Sequence, residues 1–118
     1  MRVLAAESGF TLVELMVVVL IIAILVAIAV PIFGAAKGSA QQKTCFSNQR
    51  TIEGAAETYQ ATTGLPPSAG TINASHGLVT GGFIKSAPYC PVVSTTAYYS
   101  LNSSMTVTTP TGCTHGHY

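Results

Sequence analysis

An α+β architecture is predicted by three features of the sequence: an uncharged apolar stretch over residues 15–36, an apolar stripe of helical period that continues beyond it, and a Thr/Tyr/Val-rich C-terminal region broken by one turn. Together they imply a long N-terminal α-helix, membrane-spanning in its first half and amphipathic in its second, packed on a small antiparallel β-sheet. Across 118 residues the chain is 48% apolar and only 8% charged, and the excess is local to that first stretch. The rest has the Ser/Thr/Gly-rich composition of one small extramembrane domain.

As a helix, residues 15–36 would extend about 33 Å, enough to cross a hydrocarbon core of about 30 Å. An ordinary secretory signal has a basic head, a shorter apolar core and a small-residue cleavage site. None of these fits, because Lys37 follows Ala36 directly and no small-x-small site closes the run. What precedes the run is more specific: Gly9-Phe10-Thr11-Leu12-Val13-Glu14 places a carboxylate at the margin of the apolar stretch.

The segment GFTLVELMVVVLIIAILVAIAVPIF, from residue 9 to residue 33, resembles the prepilin N-terminus shared by type IV pilins, competence pilins and type II secretion pseudopilins. The resemblance implies a leader over residues 1–9, cleavage between Gly9 and Phe10 by a membrane-embedded prepilin peptidase on the cytoplasmic side, and N-methylation of Phe10. It also implies that residues 10–36 remain on the mature subunit as a membrane anchor and filament-core helix. The leader holds one Arg and one Glu, and Lys37 and Lys43 lie beyond the far end, so charge counting sets no orientation. A cytoplasmic N-terminus rests on the resemblance alone. Ala23 stands where many relatives carry a glycine.

Glu14 is costly at the centre of a membrane helix, by about 2.5–3.5 kcal/mol, and such residues are usually functional. At the margin it could simply lie among head groups. The resemblance implies instead that it meets the N-terminal amine of a neighbouring subunit, and cleavage at Gly9 creates that amine four residues away. Within packed apolar helices an unpaired carboxylate is disfavoured, so pairing would set the axial register. Pro31 removes a helical N–H donor inside the run, at a cost of about 3 kcal/mol. With Gly34 and Gly38 it marks a weak stretch, which in the family loosens on entry into the filament; a static kink is the plainer reading.

Residues 37–63 continue as an amphipathic helix, with Cys45, Ile52, Ala55, Ala56 and Tyr59 on one stripe. The string CFSNQRTIEGAAETYQ also resembles the post-membrane helix of pilin-like proteins. Gly64, Pro66 and Pro67 end it. Residues 64–118 then comprise a connecting loop, with one short helix expected in the apolar stretch 77–84, and a β-hairpin formed by 95–101 and 105–109 around Asn102-Ser103-Ser104.

Cys45, Cys90 and Cys113 are an odd number for a domain outside the cytoplasm. Cys90 precedes the hairpin and Cys113 follows it, so a Cys90–Cys113 disulfide would clamp its open end, contributing about 2–4 kcal/mol. Cys45 is the alternative partner for either. A rival is zinc held by Cys90, Cys113, His115 and His117, with Cys45 in reserve, although the spacing matches no common zinc pattern. The sequence is expected to bind no metal and no cofactor. A Cys113/His115 nucleophile-base pair is a formal option, but the chain has no Asp to orient the imidazole. Asn73 and Asn102 match the glycosylation sequon, a rule with many false positives.

Net charge is +1 with basic residues scattered singly, which gives no nucleic-acid footprint. All four Glu residues lie at or before position 57, so the C-terminal half has no carboxylate side chain for calcium or acid-base catalysis. The resemblance therefore implies a non-enzymatic structural subunit of a type IV pilus or pseudopilus, held in the inner membrane as a precursor and then built into an extracytoplasmic or cell-surface filament. Its implied partners are other copies of itself with or without minor pilins, the prepilin peptidase and the assembly platform. The alternative is a monomeric membrane-anchored extracytoplasmic binding protein.

Overall fold

The computed structural model describes residues 9–118, so residues 1–8 of the expected leader lie outside the described residues. The elements are α1 (Leu12–Thr63), β1 (Gly70–Thr71), α2 (Gly77–Thr80), β2 (Ser100–Leu101) and β3 (Val107–Thr108). The long N-terminal helix and small antiparallel sheet are those of the α+β class. The chain divides into two compact units between Lys37 and Gly38.

In the first unit α1 starts with Thr11 as its N-cap. Every large apolar side chain from Leu12 to Phe33 is exposed, and α1 contains an apolar window long enough to cross a membrane. A helix apolar on all sides is stable only inside lipid or other protein. α1 continues without interruption through Pro31, so the loosening expected there is not a feature of this conformation. A helical proline leaves the carbonyl four residues before it, that of Ala27, without its usual donor. Gly34 and Gly38 have open space where a Cβ would stand.

In the second unit the stripe of α1 forms one wall of the core. Cys45, Gln49, Ile52, Ala55 and Ala56 are its buried residues, and Ile52 packs in a cluster with Ile72, Leu78, Tyr99, Leu101 and Val107. Tyr59 closes one end through an edge-to-face contact with Phe83, 5.2 Å between ring centroids. The helix stops where Gly64 adopts φ +75 and its N–H bonds to Gln60 O at 2.8 Å, the left-handed C-terminal cap that glycine adopts most readily.

The sheet has the order β1-β2-β3 and is antiparallel throughout, with Gly70 opposite Leu101 and Leu101 opposite Val107. The expected hairpin is present but its strands are two residues long, shorter than 95–101 and 105–109. At the near end, Ala97 N bonds Ser94 O and Tyr98 N bonds Thr96 O, so the backbone turns instead of pairing. Asn102 organises the connection: its Oδ1 accepts from Ser104 N at 2.9 Å and Thr106 N at 2.8 Å. β1 arises from within the segment expected to be loop, and the pairing extends through Ile72 N to Tyr99 O at 2.8 Å. The short helix expected near 77–84 is α2. Its cap is His76, whose Nδ1 accepts from Leu78 N at 3.2 Å, so Nε2 carries the hydrogen that goes to Ser68 O at 2.9 Å.

Ile52 is fully buried where α1 meets the sheet. Ile52→Ala is expected to destabilise the second unit by about 2–5 kcal/mol, read as a lowered unfolding midpoint of the full chain in detergent.

Candidate functional site

At the N-terminus the structure places Gly9 and Phe10 in irregular, exposed backbone immediately before α1. A Cβ on Gly9 would touch nothing within 4 Å, so the fold itself does not demand glycine there. Thr11 and Glu14 form a reciprocal cap. Glu14 N donates to Thr11 Oγ1 at 3.2 Å, while Glu14 Oε2 accepts from Thr11 N at 2.9 Å and from Thr11 Oγ1 at 2.8 Å. This is a capping box, Thr-x-x-Glu ahead of an apolar run, and it satisfies helix-start donors that lipid would leave bare. The pattern is visible in Thr11-Leu12-Val13-Glu14.

In the second unit the three cysteines and one histidine converge from three segments. Cys45 comes from α1, Cys90 follows the Tyr89–Tyr98 bridge, and Cys113 and His115 come from the C-terminal segment. All three cysteines are free thiols, with Cys45 and Cys90 buried. Cys45 Sγ and Cys113 Sγ are 3.7 Å apart, and the ligand atoms of Cys45, Cys113 and His115 all lie within 4.8 Å of one another. Cys113 also lies against Cys90. Burial, with added contributions from the Cys90 and Cys45 thiols, pushes the Cys113 thiol up to about 12. Its hydrogen points to the His115 carbonyl, not to an imidazole nitrogen. A protonated thiol without a base is a poor nucleophile, which removes the basis for a Cys113/His115 catalytic pair.

His117 does not join this group. Its Nε2 lies 2.8 Å from Glu53 Oε1, so the ligand set Cys90, Cys113, His115 and His117 considered from the sequence is not assembled. Glu53 of α1 holds His117, whereas Cys113 and His115 lie beside Cys45.

Residues 4–30 match a family model described as the prokaryotic N-terminal methylation motif, of which residues 4–8 lie outside the described residues. That decides the N-terminal segment. The chain carries the signature of type IV pilins and pseudopilins. No curated protein and no solved structure matches the chain. The match takes in Gly9, Phe10, Glu14 and the start of the exposed apolar helix, and it fits a membrane-anchored, pilin-like precursor.

Beyond the motif, sequence reasoning overlooked the residues that seat the C-terminal segment on α1. Gln49, fully buried on the apolar stripe, donates through Nε2 to Gly116 O at 3.0 Å and accepts from Tyr118 N at 3.4 Å. Glu53 accepts from Val107 N at 3.0 Å, from His117 and from the Tyr118 hydroxyl. Arg50 lies over the Tyr118 ring, 4.7 Å from its centroid. Burial pushes the Glu53 carboxyl up, but the hydrogen bonds from Tyr118, His117 and Val107 outweigh it and hold the group below its ordinary value. A polar residue on an apolar stripe is the signal that could have identified Gln49.

A carboxyl with a lowered folded-state value contributes stability above its unfolded value, and that contribution is lost as pH falls through the folded value. The C-terminal segment is therefore expected to stay docked at neutral pH and to release below the ordinary 4.5. Amide protection at residues 113–118, relative to the intrinsic exchange rate at each pH, should fall with acid, and Glu53→Gln should flatten that dependence.

Proposed function

We propose that this chain is the precursor of a structural subunit of a type IV pilus or related pseudopilus, cleaved between Gly9 and Phe10, N-methylated at Phe10 and polymerised through α1. The observation that carries the reading is the methylation motif running into a helix whose apolar side chains, among the described residues, have no cover. Lipid covers them in the precursor and neighbouring copies of the same helix cover them in the filament. Residues 1–9 then act as a leader, 10–36 as anchor and filament core, and 37–118 as the outer domain.

Several local features support it. Glycine at position 9 costs nothing to replace within the fold, so its requirement lies in the peptidase that reads it. Gly34 and Gly38 each cost about 1 kcal/mol in a helix relative to Ala, and they are uncontacted here; close approach of a second helix offsets that cost. Glu14 uses Oε2 for its own cap, and among the described residues Oε1 accepts no hydrogen bond. It can therefore cap its own helix and receive the Phe10 amine of a neighbour at the same time. Pro31 supplies a point where α1 lengthens or bends as subunits pack. The partners are further copies with or without minor pilins, the prepilin peptidase and an inner-membrane assembly platform, and the product is an extracytoplasmic filament.

Mass spectrometry of the mature protein should find an N-terminus beginning with methylated Phe10, whereas an uncut chain beginning at Met1 would count decisively against the reading. Glu14→Ala should be cleaved normally yet form few or no filaments. Thr11→Ala removes the cap but keeps the carboxylate, at a cost of about 0.5–2 kcal/mol, and should still polymerise. Equal failure of the two variants would reduce Glu14 to a helix cap and remove its register role.

A further inference from the structure

We propose that Cys45, Cys113 and His115, completed by Cys90, bind one zinc-class cation that ties the C-terminal segment to α1. The ligand atoms of the first three residues already lie within 4.8 Å of one another. Two sulfurs bound about 2.3 Å from one zinc at the tetrahedral angle are about 3.8 Å apart. Cys45 and Cys113 stand at 3.7 Å, so the pair can take up that edge with almost no movement. Cys90 is fully buried beside Cys113 but stands outside that group, so it would have to shift toward the other three to supply the fourth ligand. Three thiolates and one imidazole are a donor set used by closed structural zinc sites.

The orphaned polar atoms around the cluster favour a metal over a disulfide. His115 Nδ1 is buried with no hydrogen-bond partner, although an imidazole nitrogen kept from water is costly unless it is used. The Tyr99 hydroxyl is likewise buried without a bond of ordinary geometry, beside Cys45 and Asn48. Gln49 Nε2 donates to Cys45 Sγ at 3.4 Å. Donors aimed at a sulfur support a thiolate, as do the outer partners of metal ligands. A Cys90–Cys113 disulfide would consume two sulfurs and leave the third thiol and the His115 nitrogen with nothing to do. A cation uses all four groups. Zinc would displace the thiol protons on binding, since a coordinating thiol is deprotonated outright.

Three segments distant in sequence would thus be held at one point on α1: the helix itself at Cys45, the connecting segment at Cys90 and the C-terminal segment at Cys113 and His115. A small domain with a thin core commonly relies on such a staple. The inference stands apart from the filament reading, because it concerns only residues beyond Lys37 and would hold for a monomeric anchored protein as well.

The test is titration of the purified full chain in detergent, under anaerobic conditions with a phosphine reductant, by Co2+ and then Zn2+. The expected result is a thiolate-to-cobalt charge-transfer band that one equivalent of Zn2+ abolishes. His115→Ala, a half-buried position whose loss the fold should tolerate, is expected to weaken Co2+ binding by at least about tenfold, and Gln49→Ala by about 10–100-fold. Circular dichroism checks that each variant is folded, and His115→Ala decides the matter if Gln49→Ala is not. Absence of the charge-transfer band, or unchanged affinity in folded His115→Ala, overturns the proposal. So does a stoichiometric disulfide between any two of the three cysteines when thiols are alkylated in freshly acid-quenched cells.

Discussion

The first half of α1 is a helix that nothing among the described residues covers. The side chains of residues 15–36 present apolar surface on every side, and each Val, Leu or Ile kept out of water contributes about 1.5–3 kcal/mol. Such a segment needs lipid, or other helices like itself, at every stage of its existence. The methylation motif, residues 4–30, overlaps most of this segment, and in the proposed function the same helix passes from the first environment to the second.

The same helix then serves a second purpose with opposite requirements. Beyond Lys37 it is solvated on one side, and its buried stripe is the largest rigid surface available to a small domain. Strands two residues long contribute few ladder hydrogen bonds, so the sheet depends on this stripe and not on its own pairing. Ile72, Leu78, Tyr99, Leu101 and Val107 all pack in the cluster that includes Ile52. Polar residues of α1 complete the attachment. Glu53 reaches the β3 backbone and the C-terminal segment together, and Gln49 bonds that segment from within the apolar stripe.

In the proposed assembly, the one side chain of Glu14 serves both folding and subunit contact. One carboxylate oxygen accepts both donors of Thr11, which starts the helix cleanly at the membrane margin. The other is left for a charge from outside the chain. A carboxylate already fixed by its cap loses little further freedom when it meets an amine, and this preorganisation is what a register-setting contact between subunits requires.

Features carried by local chemistry were readable from the sequence: the membrane-length run, the stripe from Cys45 to Tyr59, the stop at Gly64 and the turn at Asn102. Each depends on residue type and short-range spacing, which secondary structure expresses directly. β1 was not readable, because Gly70-Thr71 has no apolar alternation and is a strand only because β2 lies beside it. The burial of Gln49 and the diversion of His117 to Glu53 were equally hidden, since both follow from where the C-terminal segment crosses α1. The meeting of Cys45, Cys113 and His115 is the clearest case. Sequence offered three thiols and two neighbouring imidazoles with several ways to combine them, and the packing of the last segment on the helix selected one, because only the fold brings groups some seventy residues apart to within a few ångströms.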